Sequence, residues 1–77
     1  MRRVLELVAG VLARDVESLG DQTTPLKNLE GWDSLKHVML IVGLENTFQT
    51  NLSAEDIQRM TSVAEICQVF AERGIDG

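Results

Sequence analysis

Apolar positions recur along this chain with a helical period. Val4, Leu5, Val8, Val11 and Leu12 fall at i, i+1, i+4, i+7 and i+8, which is one face of a helix. Arg2, Arg3, Glu6 and Arg14 lie largely elsewhere, and the spacing predicts a first helix from about Arg3 to Arg14. Gly10 costs that helix some propensity and is expected to allow close packing. From Asp15 to Trp32 the period weakens, and Gly20-Asp21, Thr24-Pro25 and Asn28 mark a long connection. Connections of this length are functional or packed on themselves. Leu19, Leu26 and Leu29 are expected to fold inward and pin it.

Asp33 is placed to cap a second helix, with its carboxylate accepting from the first free amides. Ser34 is then the first helical residue. Trp32 before the cap and His37 as the fourth helical residue occupy the two positions of a hydrophobic staple. The helix is expected to run to about Phe48 or Gln49. Ser53-Ala54-Glu55-Asp56 reads as the cap of a short third helix carrying Ile57 and Met60. Ser62-Val63-Ala64-Glu65 is the cleaner capping box and opens a last helix. Its stripe is Val63, Ile66, Cys67 and Phe70, and Gly74 stops it. No strand-like alternation of useful length and no internal repeat interrupts this pattern. The expected fold is all-α: a small four-helix bundle, three main helices and one short one, with a long loop between the first two. Residues 1–77 are read as a single domain.

The second helix is apolar on two sides. At about 100° per residue, Leu40, Ile41, Leu44 and Phe48 gather on one side, and Leu35, Val38, Met39 and Val42 on nearly the opposite one. Lys36, Gly43 and Thr47 mark the polar or small strip between them. One stripe suffices to pack a helix into a small bundle. Either the helix is central and covered on both sides, or the Leu35 stripe stays exposed as a docking face. In 77 residues few elements are available to cover both, which favours docking.

Composition narrows the partners. The net charge of −5 sets the chain against phosphate backbones, so nucleic acid is not expected and basic protein surfaces suit it better. With one Trp, two Phe and no Tyr there is no stacking platform for single strands. No run is long enough to span a membrane. Arg2-Arg3 followed by Val4 to Ala13 faintly imitates a signal peptide, but Glu6 interrupts it and its period is helical. It is read as part of the fold and the protein as cytoplasmic. The one cysteine, Cys67, forms no internal disulfide, and with His37 alone beside it no Cys/His metal site forms. Cys67 lies on an apolar face and is expected to be a buried small hydrophobe.

The remaining candidate is Ser34, in Gly31-Trp32-Asp33-Ser34-Leu35. Taken alone, a serine beside Asp33 marks a helix start. A catalytic reading would join Asp33, Ser34 and His37, since Ser34 and His37 are i, i+3. It also needs an oriented base, an oxyanion site and a pocket, for which four short helices leave little room. A third reading treats Ser34 as a place to carry a phosphate group, favoured there by free amides and the positive end of the helix dipole. The adjoining apolar face would then give other enzymes a grip.

At Asp33-Ser34-Leu35, within "LEGWDSLKHVMLIVGLENTF" and on through "LSAEDIQRMTSVAEI", the chain resembles the acyl carrier and peptidyl carrier proteins. The placement of "DSL" relative to both ends, followed by Leu44, Glu45 and Phe48 in an LE-x-x-F pattern, carries the resemblance over nearly the whole chain. It implies a 4′-phosphopantetheine arm, taken from coenzyme A and linked to Ser34 through a phosphodiester, whose thiol holds acyl or aminoacyl thioesters. It implies that Asp33 supports the phosphopantetheinyl transferase and its magnesium. Leu35, Lys36, Val38, Met39, Val42 and Glu45 fall at positions that meet partner enzymes. Those partners are the transferase, an acyl- or aminoacyl-loading enzyme and downstream synthase enzymes, and the protein is expected to be a monomer and not itself an enzyme. Any cargo pocket is expected among apolar side chains such as Leu40, Ile41 and Phe70. Fatty-acid-synthesis members carry acids where this chain has Lys36 and Met39, and more at Asn46 and Thr47. That departure makes the chain more similar to stand-alone carriers of polyketide, nonribosomal peptide and related specialised pathways. The alternatives are a carrier of fatty acid synthesis or an unmodified helical adaptor.

Overall fold

The computed structural model describes residues 2–75. Among them, α1 spans Arg2–Leu12, α2 Ser34–Phe48, α3 Ala54–Arg59 and α4 Val63–Glu72. The long connection holds two 3₁₀ turns, Val16–Leu19 and Leu26–Asn28. The described residues contain no strand, so the all-α expectation holds. The radius of gyration is 11.2 Å, close to the roughly 11.5 Å of a fully packed chain of this length. The connection is therefore folded against the helices rather than extended from them.

The core gathers Val4 and Val8 of α1, Leu40, Ile41 and Leu44 of α2, and Ile66, Val69 and Phe70 of α4. Leu19 and Leu26 enter it from the two 3₁₀ turns, while Leu29 is half-buried against its edge. Phe48 packs edge-on against Phe70 at 4.8 Å, and the Arg3 guanidinium covers its ring at 4.6 Å. Two backbone bonds fix the connection to the α3–α4 junction. Leu26 N–H donates to Thr61 C=O at 2.8 Å, and Ala64 N–H donates to Gln22 C=O at 3.0 Å.

Several local expectations are corrected. α1 ends at Leu12 because Ala13 turns left-handed, with φ of 55°. Arg14 N–H then returns to Ala9 C=O at 2.9 Å and Ala13 N–H to Gly10 C=O at 3.2 Å, a Schellman closure built without glycine. Gly10 is exposed and nothing lies within 4 Å of where its Cβ would be, so it serves no close packing. Gly43 does: a Cβ there would sit 3.4 Å from Leu7 Cδ2 where α1 crosses α2. The complete capping box is Ser53–Asp56, with both reciprocal bonds formed. At Ser62 the side chain accepts from Glu65 N–H, the only half of that box formed among the described bonds. Cys67 is half-buried, and Val69 fills the core beside Ile66 and Phe70. Burial still pushes the Cys67 thiol up from its ordinary range, which keeps it protonated and unreactive. Gly74 ends α4 as expected, in a Schellman motif with φ of 75° in which Ile75 N–H donates to Phe70 C=O at 2.8 Å.

Helix α3 has no buried residue of its own. It is anchored by its flanks, Leu52 and Met60, and by ion pairs to α4. Arg59 grips Glu72 with both guanidinium nitrogens, at 2.8 and 2.7 Å, and Arg73 pairs with Asp56.

Candidate functional site

The site is the N-terminus of α2 and the surfaces on either side of it. Asp33 is the N-cap: its Oδ1 accepts from Lys36 N–H at 2.9 Å, and its carbonyl accepts from His37 N–H at 3.1 Å. Helix geometry leaves the Ser34 and Leu35 amides without intrahelical acceptors. The staple is formed, with the Trp32 and His37 rings edge-on at 6.2 Å and 77°. Gly31, at φ of 86°, makes the turn that brings Trp32 back to the helix. Ser34 stands exposed as the first residue of α2.

The two faces of α2 separate cleanly. Leu40 and Leu44 are 0% exposed and Ile41 8%. Leu35, Val38, Met39 and Val42 are 64%, 57%, 47% and 50% exposed. Four large apolar side chains therefore form a continuous surface running from Ser34 along the helix. Lys36 is half-buried beside them. Glu45, the one acid in Ser34–Phe48, is also half-buried, and its Oε2 accepts from Leu52 N–H at 2.8 Å. That carboxylate ties the end of α2 to the loop before α3.

On the other side of Ser34 lies an open groove of about 900 Å³. The connection contributes Pro25, Lys27 and Trp32 to it, α2 contributes Asp33, Ser34, His37 and Val38, and the α3 side contributes Ile57, Gln58, Met60 and Thr61. Leu40, Ile41 and Phe70, the apolar side chains expected around any cargo pocket, are packed in the core and do not line this groove. The groove was not foreseen because its walls come from two segments well separated along the chain, 25–38 and 57–61. The one sequence signal was the pairing of Trp32 with His37.

Asp33 Oδ1 accepts from the Lys36 amide, and among the described hydrogen bonds none joins the His37 ring to Ser34 or to Asp33. Among the described residues no cluster of three or more His, Cys, Asp or Glu could hold a metal. No helix is long and apolar enough to cross a membrane among those residues. What the site provides is an exposed hydroxyl at a helix start, open space beside it and an apolar surface next to it. A tethered, extended group bearing a phosphate fits these features: the hydroxyl can be reached, the free amides suit an anion, and the groove leaves room. Residues 2–70 match the family model described as "Phosphopantetheine attachment site". With that match covering nearly the whole chain, it belongs to the family of acyl and peptidyl carrier proteins, which bear a covalent 4′-phosphopantetheine.

Proposed function

We propose that the chain is one carrier domain, not an enzyme, in which Ser34 bears the arm. It would serve polyketide, nonribosomal peptide or related specialised biosynthesis. The observation that carries the Ser34 assignment is the exposed hydroxyl at the first residue of α2, flanked by the groove and by exposed Leu35. The arm's thiol supplies the chemistry, holding acyl or aminoacyl groups as thioesters for other enzymes. This chain's own residues present and orient it. Asp33 fixes the helix start through the Lys36 amide and is the acid beside the attachment point, in position to support the transferase and its magnesium. Leu35, Val38, Met39 and Val42 give partner enzymes an apolar grip, with Lys36 at its edge.

The character of that surface supports the specialised pathways over fatty acid synthesis. Lys36, Met39, Asn46 and Thr47 stand where acids would be needed, and Glu45 already has one oxygen on the Leu52 amide. The α2 surface thus offers apolar contact more than negative charge, which suits partners that are not strongly basic.

Intact mass after incubation with coenzyme A, magnesium and a broad-specificity phosphopantetheinyl transferase tests the Ser34 assignment. One added arm is expected in the wild type and none in Ser34→Ala. Failure of a folded wild-type sample to gain mass with several transferases would overturn it and leave an unmodified adaptor acting through the same apolar face.

A further inference from the structure

An arm leaving Ser34 has two paths, across the exposed face at Leu35 and Met39 or into the groove toward Ile57 and Met60. The geometry points to His37 as the positioning residue that turns it into the groove, by holding the phosphodiester from the side of the second turn. This inference rests on Ser34 carrying the arm.

Three observations combine here. His37 follows Ser34 by three positions on α2, which puts the Cβ atoms about 5–6 Å apart on one helix surface. Side chains on a helix lean toward its N-terminus, so His37 leans back over the turn that Ser34 opens. Trp32 packs its ring edge against the imidazole at 6.2 Å, which limits how that ring can turn.

Charge favours the same side. The chain carries a net charge of −5, yet the groove has two basic side chains, Lys27 from the connection and His37 from α2. The one acid lining it, Asp33, has Oδ1 on the Lys36 amide. The α3 side contributes Ile57, Gln58, Met60 and Thr61, none of which titrates. An anion next to Ser34 thus meets two basic side chains toward the groove, and toward Leu35 and Met39 an apolar surface with the half-buried Lys36 at its edge. Holding the phosphodiester on the groove side leaves the apolar face of α2 clear for a partner.

Phosphorus NMR of the arm-bearing protein tests this. A phosphodiester has no proton to gain or lose near neutrality. Of the side chain types around the groove, histidine is the one that changes charge between about pH 5 and 8, with aspartate below and lysine above that window. The phosphorus resonance of the wild type is expected to shift with pH across that window. In arm-bearing His37→Gln the shift is expected to be lost, while Lys27→Gln keeps it. A flat wild-type titration, or an unchanged one in His37→Gln, would overturn the role of His37. Both samples are checked first by intact mass. Absence of the arm from the wild type would instead remove the Ser34 assignment and this inference with it.

Discussion

The exposure of the Leu35 stripe makes Val42→Asp a quantitative test of the two-faced helix. Val42 is 50% exposed in the middle of α2. Complete burial of a valine side chain contributes about 1.5 kcal/mol, so half of that, about 0.8 kcal/mol, is at stake. Valine and aspartate differ little in helix propensity. The new carboxylate would stand three residues before Glu45, adding like-charge repulsion of about 0.3 kcal/mol. The expected loss is therefore about 1 kcal/mol, or a fall in Tm of about 4–8 °C for a chain of this size. Leu44→Ala, on the covered face of the same helix, is expected to cost about 2–5 kcal/mol. Set against a total stability of about 4–12 kcal/mol, the second change threatens folding and the first does not. Urea unfolding followed by circular dichroism measures both. In parallel, kcat/KM for modification by the transferase is expected to fall about tenfold in Val42→Asp, through loss of contact at the docking face. A stability loss matching that of Leu44→Ala would show that the stripe is covered, refuting the two-faced reading. An unchanged kcat/KM in a folded variant would remove Val42 from the surface this partner uses.

Two further expectations concern the scaffold. Ala13→Gly is expected to stabilise the fold by about 1 kcal/mol in urea titrations, because Ala13 holds the left-handed position that closes α1. A destabilised variant would show that the α1 terminus is not closed this way. The Arg59 fork, with Gln68 as a second donor, holds the Glu72 carboxylate down at about 2, against an ordinary value of 4.5. A carboxylate depressed in the folded state adds stability above its unfolded value and loses it as pH falls through the folded one. The stability difference between wild type and Glu72→Gln is therefore expected to be present at pH 5 and to vanish toward pH 2. The pair is exposed, so salt is expected to shrink the difference as well. A difference independent of pH would refute the assignment.

Most of the helices were legible in the sequence, because the interactions that start and stop them join residues five positions apart or fewer. The Asp33 cap, the Trp32–His37 staple and the Ser53–Asp56 box are pairs at separations of three to five. The two stripes of α2 follow from helical period alone. The sequence therefore determined the helical class, the placement of Ser34 at a helix start and the existence of an apolar surplus on α2. Chain length favoured an exposed Leu35 stripe, but the covering of the Leu40 stripe is a tertiary matter. That was decided by α1 crossing at Gly43 and by α4 packing Phe70 against Phe48. Local readings failed where a residue's role depends on a distant neighbour. Gly10 looked like a packing glycine and faces nothing, while Glu45 looked like a surface acid and holds the Leu52 amide. The groove beside Ser34 is wholly tertiary. It exists because Leu26 and Gln22 bond to Thr61 and Ala64, which sets α3 opposite the start of α2. Bonds closing loops of more than thirty residues leave no periodic trace in a sequence. The position of the hydroxyl was therefore readable from the chain, and the space beside it was created only by folding.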